Sequence, residues 1–258
     1  MVTASASSLD DITNDELRGW VQLVKQIRAT ADASIKKEEA EGVKFDQRDF
    51  DEYPFIKAPT SQEAIRQQEA TLQTTLPDDY KQFLQVTNGT GWTGIGWIPS
   101  LCGVEQLRWE QADAVGFESL RVETFPPSVT SLEETTSLTS DEFREAPPLE
   151  RVLRISDEDE DTIVFLLEPE YVRKTWVWLA EKRGIEAKDA PGQWLLFVFV
   201  PWMASTKLHP TFEGYMRTRV RTIKGSDENP NNIHILNSHQ LMNNYRSYQN
   251  MSLVVTLV

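Results

Sequence analysis

The chain is poor in cysteine and has no long hydrophobic run. Cys102 is its single cysteine among 258 residues, so no internal disulfide can form. Residues 1–11 show no cationic region followed by an apolar stretch, so no secretory signal is predicted. The longest apolar run, residues 194–200, stops at Pro201 and is far shorter than the roughly 20 residues that a membrane helix needs. We therefore expect a cytoplasmic protein with no membrane partner.

Positive charge is also scarce. The chain has 26 Lys and Arg residues against 40 Asp and Glu residues, which gives a formal net charge of -14. A protein that binds nucleic acid needs a concentrated cationic surface to neutralise the backbone phosphates. The composition therefore argues against a nucleic-acid partner, and it favours either basic protein partners or simple solubility.

The patterns that usually mark an active site are missing. The three histidines, His209, His234 and His239, belong to no H-E-x-x-H motif, and the chain has no G-x-S-x-G motif and no cysteine-rich metal spacing. Cys102 and His209 could serve as nucleophile and base, but a distant pair does not identify a catalytic site. The sequence predicts a non-catalytic protein without metal or cofactor. An enzyme whose site is assembled from scattered residues stays open as the alternative.

An N-terminal helix is predicted from a capping pair and an apolar stripe. Thr13 and Glu16 form a capping box, in which each side chain satisfies a backbone N–H of the first turn. Apolar residues then recur at intervals of three and four, as on one face of a helix. They are Leu17, Trp20, Val21, Val24, Ile27, Ala31 and Ile35. Residues 1–57 are predicted to form this helix and an acidic linker.

Two consecutive helices are predicted after the linker. Thr60 and Glu63 form a second capping box, so the first helix should begin at Ser61. Pro77, followed by two aspartates, starts the next helix, because proline lacks an N–H that the first turn does not need and acids favour the positive end of the helix dipole. Asn88-Gly89 tolerates the left-handed conformation that ends a helix.

The second half of the chain is predicted to be mainly antiparallel sheet. Residues 104–112 have the apolar spacing of a short helix, and β-rich runs joined by polar turns follow. The runs are residues 151–155, 162–168, 172–179 and 194–200. Trp176 and Trp178 would share one face of the third run, so both would be buried or both exposed. A helix over residues 211–219 follows the last run.

The expected fold class is α+β, with helices on one side of a mainly antiparallel sheet and an N-terminal helical extension. We place the main domain at residues 58–224. Residues 124–148 are rich in Pro, Ser, Thr and Glu, and too poor in apolar residues to offset the entropy of ordering, so they are predicted to form a mobile insertion. Residues 225–258 form an Asn-rich tail, whose final apolar residues could add an edge strand.

Five consecutive acidic residues separate the first two predicted strands. They are Asp157, Glu158, Asp159, Glu160 and Asp161. Three of them, with Glu168, have the spacing of a calcium-binding loop, but Thr162 stands where that loop needs glycine, and strands rather than helices flank it. The run is therefore predicted to be an acidic hairpin turn and not a metal site.

Tryptophans surround a glycine-rich segment. Residues 89–94 fit G-x-G-x-x-G, but they follow a helix instead of a strand, so dinucleotide binding is not predicted. Trp92, Trp97 and Trp109 cluster around this segment and could anchor a partner, because tryptophan is enriched in interface hot spots. Burial in the core is the alternative for these side chains.

Two separated groups of residues form a pattern. The first group is Glu69, Leu76, Pro77, Asp79, Tyr80, Phe83, Leu84, Asn88 and Gly89. The second group is Gly192, Trp194, Trp202, Thr211, Phe212, Tyr215 and Met216. Together they resemble the SUKH superfamily, whose fungal branch includes the yeast cell-wall-assembly regulator of the Smi/Knr type.

The resemblance implies a non-catalytic, protein-binding scaffold. Fungal members serve as regulators of cell-wall assembly or signalling, and bacterial members serve as immunity proteins that block toxins. We therefore expect an interaction module that uses the acidic turn, residues 157–161, and the tryptophan cluster to bind a basic or proline-rich protein. An immunity-type protein that blocks a toxin is the alternative.

Overall fold

The computed structural model describes residues 9–44, 55–91, 99–112, 124–125, 136–137, 145–157, 162–184, 186, 192–200 and 205–228. In these ranges the α-helices are α1 (Arg18–Ala40), α2 (Gln62–Leu72), α3 (Asp78–Val86), α4 (Pro169–Arg183) and α5 (Phe212–Glu228). The strands are β1 (Arg108–Gln111), β2 (Thr124–Phe125), β3 (Thr136–Ser137), β4 (Arg151–Arg154), β5 (Ile163–Leu167), β6 (Leu195–Val200) and β7 (Ser205–His209). Short 3-10 helices span Leu9–Asp11, Asp15–Leu17 and Val104–Gln106.

A five-stranded antiparallel sheet lies at the centre, with strand order β1-β4-β5-β6-β7. Five residue pairs join β5 to β6, from Ile163 opposite Phe199 to Leu167 opposite Leu195. β2 and β3 form a separate two-stranded ribbon. The predicted α+β class and the strands predicted over residues 151–155, 162–168 and 194–200 are confirmed.

The two faces of the sheet bury different helices, because successive side chains of a strand point to opposite sides. Val164 and Leu166 of β5 belong to a core that also contains the buried side chains of α1, α2, α3 and α5. Phe165 and Leu167 belong to a second core, which α4 covers. Four described helices therefore share one face, and α4 lies on the other.

The strand predicted over residues 172–179 is wrong, because this segment is the middle of α4. Proline occupies the first turn, where its missing N–H costs nothing, and Gly184 ends the helix in the left-handed conformation with φ 65°. Trp176 is buried whereas Trp178 is only half-buried, because residues two apart point to different sides of a helix. Their predicted common face is therefore wrong as well.

The short helix predicted over residues 104–112 is also wrong. Only Val104–Gln106 form a single 3-10 turn, and Arg108–Gln111 form the edge strand β1, paired with β4. Helix starts are displaced by about one residue from the predicted capping boxes. Ser61, rather than Thr60, caps α2 through its hydroxyl, which accepts a hydrogen bond from the Ala64 N–H at 3.1 Å.

Gly89 follows α3 and has φ +82°, as its predicted left-handed role requires. A Cβ atom at this position would lie only 2.3 Å from the Leu101 carbonyl oxygen, so no other residue fits without moving the backbone. Next to it, the Asn88 Oδ1 accepts a hydrogen bond from the Val104 N–H at 2.8 Å. This Asn-Gly pair joins α3 to the segment that leads into β1.

The N-terminal helix packs on the domain through Trp20. Its indole stacks on Phe212 at 5.6 Å between ring centroids and meets Phe83 edge-on at 5.8 Å. The indole N–H also donates to the Gln82 side-chain oxygen at 3.1 Å. Within the described residues, no helix has the length and apolar character needed to cross a membrane.

We predict that Trp20→Ala lowers the free energy of unfolding by about 3–5 kcal/mol, the usual cost of truncating a buried indole. Urea denaturation of the full chain measures this change. Gln22→Ala, on the exposed side of the same helix, is the control and should change stability by less than about 0.5 kcal/mol. Equal stability of both variants would show that α1 is not part of the cooperative fold.

Candidate functional site

Asp79 connects the starts of α3 and α5. Its Oδ2 accepts a hydrogen bond from the Glu213 N–H at 2.9 Å, and its Oδ1 accepts one from the Tyr80 N–H at 2.8 Å. These N–H groups lie in first turns, where no helix carbonyl can accept them. Burial raises the pKa of Asp79, and the hydrogen bonds from the backbone oppose that rise. The side chain is therefore committed to holding two helices together.

Two indoles hold the α2–α3 connection. The Trp194 Nε1–H donates to the Thr75 carbonyl and the Trp109 Nε1–H donates to the Leu72 carbonyl, both at 2.9 Å. The two rings stack with centroids 6.2 Å apart. The guanidinium of Arg151 lies over the Trp109 ring at 4.1 Å. This geometry favours a cation–π contact, which adds to the packing that holds Trp109 in place.

Glu69 also holds the connection between α2 and α3 in place. Its Oε1 accepts a hydrogen bond from the Leu76 N–H at 2.8 Å and lies 3.6 Å from the Lys81 Nζ. Lys81 also pairs with Asp78 at 2.8 Å. The chain just before α3 is thus fixed by a carboxylate on one side and by two indoles on the other.

A cleft of about 510 Å³ opens between the first turns of α3, α4 and α5. Its volume is within the range of about 300–1,000 Å³ that ligand sites usually have. Its buried apolar lining is provided by Leu76, Leu166, Leu196 and Phe212. Half-buried rings also line it, and they belong to Pro77, Pro169, Pro210 and Trp194. The surface is suited to binding an apolar group.

A smaller, polar pocket of about 150 Å³ lies where the acidic run begins. Arg154 donates to the Asp157 carbonyl at 2.7 Å and to the Ser156 carbonyl at 3.2 Å, so the guanidinium fixes the backbone that enters the run. The Asp157 N–H donates to the Ser100 carbonyl at 2.9 Å. Cys102 lines the same pocket and donates its S–H to the Ser156 carbonyl at 3.2 Å.

Cys102 and His209, considered above as nucleophile and base, have pKa values that do not suit a thiolate–imidazole pair. Burial raises the pKa of Cys102 to about 11, and nearby Asp157 adds to the rise, so the thiol is protonated at neutral pH. Burial lowers the pKa of His209 to about 4, with help from Arg219 and Lys207. Cys102 lines the polar pocket, whereas His209 packs edge-on against Tyr215 at 5.2 Å.

The predicted partner-binding residues separate into different places. Trp109 is half-buried beneath Trp194, and Asp157 lies at the polar pocket. The other predicted residues lie outside the described part of the chain; they are Trp92, Trp97, Glu158, Asp159, Glu160 and Asp161. Among the described residues, no group of three or more His, Cys, Asp or Glu side chains could hold a metal ion.

No pattern within a single segment of the sequence reveals the cleft. The helix dipole of α3 accounts for Asp78 and Asp79 in its first turn, but not for the hydrogen bond from the Glu213 N–H to Asp79. The signal was present in the two motif groups, since Pro77 and Asp79 belong to the first and Trp194 to the second. Their convergence on one cleft gives a physical reason for the pattern.

Comparison with known proteins identifies the family. Residues 59–201, more than half of the chain, match the SMI1/KNR4 family (SUKH-1), and the chain belongs to this family. The match begins before α2 and ends after β6, so α1 and α5 lie outside it. Searches of curated proteins and of solved structures give no significant match.

We predict that the free energy of unfolding falls as the pH drops below 6.5, in part because of His209. The unfolded imidazole takes up a proton near its ordinary pKa of 6.5, whereas the folded imidazole remains neutral until about pH 4. Between these values the unfolded chain binds more protons, so stability decreases. The imidazole is only partly buried and solvent screens it, so we expect a loss of about 1–2 kcal/mol, less than the full shift would give. Urea denaturation at pH 7 and at pH 4 measures the loss.

His209→Gln removes the ionisable group and is the matched comparison. Acidic residues titrate in the same range, but they affect both proteins equally, so the difference between the two pH profiles isolates His209. The variant should lose less stability on acidification. Parallel profiles would contradict the burial of a neutral imidazole.

Proposed function

We propose that this member of the SMI1/KNR4 family is a non-catalytic, intracellular protein-interaction module that regulates cell-wall assembly or signalling in a fungus. One observation carries the proposal: of the two carboxylates that line the cleft, the half-buried one, that of Asp79, is committed to the backbone of α3 and α5, and the exposed one, that of Asp78, pairs with Lys81. A carboxylate whose two oxygens both accept hydrogen bonds from backbone N–H groups is a poor acid or base. The cleft therefore favours binding over chemistry, which agrees with a family that is generally non-catalytic.

The acidic turn is the surface that we assign to a basic partner. Arg154 fixes the two carbonyls at its start, and five consecutive acids follow from Asp157 to Asp161. A concentrated negative charge attracts a cationic surface and speeds its association. In the same proposal, Trp92 and Trp97 add apolar contacts, and a proline-rich segment of the partner would suit them. Trp109 supports this region from within the fold, because Trp194 and Arg151 already pack on its ring.

An immunity-type role is the second candidate. SUKH domains include immunity proteins as well as the yeast Smi1/Knr4 regulator. The net charge of -14 favours this candidate for one class of target, since an acidic protein could cover the cationic active site of a nuclease toxin. It predicts a single, tight partner, whereas a regulator would bind several partners more weakly.

Affinity capture tests the proposal. Tagged full-length protein is compared with a variant that carries Asp157→Lys, Asp159→Lys and Asp161→Lys, and captured proteins are identified by mass spectrometry. We expect the charge reversal to release the specific partners. Adding Trp92→Ala should release any partner that remains.

The control carries the same change of charge elsewhere, through Glu16→Lys, Glu39→Lys and Glu41→Lys at exposed positions in and around α1. It should retain the partners. Retention of every partner by the acidic-turn variant with Trp92→Ala would contradict the proposed surface. Capture of one toxin-like enzyme, with loss of its activity in the complex, would favour the immunity role instead.

A further inference from the structure

We propose that the cleft between the starts of α3, α4 and α5 binds a short peptide segment of the partner, in which an apolar anchor is followed by a lysine or arginine. This inference rests on the proposed interaction function and adds to it a second surface and the chemistry of the segment that fits there. The acidic turn precedes β5, whereas the cleft contacts Leu166 near the end of this strand. The two surfaces can therefore be tested separately.

The apolar anchor follows from the lining of the cleft. Prolines have no N–H, so the three prolines offer ring surfaces and no backbone donor at their own positions. The indole N–H of Trp194 already bonds the Thr75 carbonyl, which leaves the ring as its contribution to the cleft. Leu76, Leu166, Leu196 and Phe212 are almost fully buried and form the floor, so the accessible apolar surface is that of the proline and indole rings. Thr74, Thr75, Gln193 and Thr211 add polar groups to the lining.

The basic residue follows from charge. Among the described residues that line the cleft there are two carboxylates, Asp78 and Asp79, and no lysine, arginine or histidine. Asp79 is committed to the backbone, but the Asp78 side chain is 91% exposed although it pairs with Lys81. An exposed pair of this kind is weak, so Asp78 can also attract a cation of a bound peptide. Cations border the lining without belonging to it, since Lys81 pairs with Asp78 and the Arg173 guanidinium lies beside Gly192.

Two variants test separately the apolar and the electrostatic contributions to peptide binding. Thr75→Trp places a large ring at the exposed rim and leaves the backbone carbonyl that accepts the Trp194 bond. Asp78→Lys reverses the charge. Glu63→Lys is a closely matched control, because Glu63 is also an exposed acid in a first turn and pairs with a cation three residues on, Arg66 at 3.1 Å.

The probe is a fluorescein-labelled peptide in which leucine and proline alternate with lysine. Fluorescence polarisation measures its affinity for the full chain. We expect Thr75→Trp and Asp78→Lys each to weaken binding about tenfold, a change of about 1.4 kcal/mol. Glu63→Lys and Asp157→Lys should stay within about twofold. A peptide with glutamate in place of lysine should bind at least about tenfold more weakly than the lysine peptide.

The indole N–H signal of Trp194 in an NMR titration locates the bound peptide, and it should shift on addition of the lysine peptide. Failure of this peptide to bind, or equal binding by all variants, would overturn the inference. Val254→Ser with Val255→Ser tests the chain's own tail as the occupant without adding charge. A rise in peptide affinity in that variant would also overturn it.

These outcomes are distinct from failure of the proposed function. If the peptide binds the cleft variants with unchanged affinity, while captured partners still require the acidic turn, only the cleft assignment fails. If the acidic-turn variant still captures every partner, while peptide affinity depends on Asp78 and Thr75, the proposed turn surface is wrong and the cleft assignment is supported.

Discussion

The carboxylate of Asp79 is the interaction on which the geometry of the domain depends. It joins the first turns of two helices whose bonded residues are 134 positions apart in sequence. An N–H of a first turn has no acceptor within its own helix, and burying it without a partner costs about 1–3 kcal/mol. One half-buried carboxylate serves both helices. It thereby fixes the position of Phe212, which packs against Tyr80, Phe83 and Trp20.

The residues that reveal the family mostly hold the fold together. Glu69 and Trp194 fix the backbone that leads into α3, and Gly89 permits a contact that any larger residue would block. These side chains hold the backbone and shape the surface around the cleft.

Local signals in the sequence predicted much of the fold, and non-local contacts account for most of what they missed. Amphipathic spacing and first-turn acids located α1, α2 and α3 to within a few residues. The β-branched and aromatic residues of α4 indicate a strand. Its proline start and its Gly184 end favour a helix, and as a helix it covers the second face of the sheet. The cleft depends on contacts such as Thr75 with Trp194, 119 positions apart, and no periodicity within a segment encodes them.

Amide hydrogen exchange at Glu213, measured by NMR, tests the central role of Asp79 most directly. An N–H at the second position of a helix has no partner in the helix, so any protection there reports an acceptor from elsewhere. The account predicts that this N–H exchanges as slowly as the amides of the central strand β5, and that Asp79→Ala makes it exchange rapidly. Rapid exchange of Glu213 in the unmodified chain, or unchanged protection in the variant, would contradict the account.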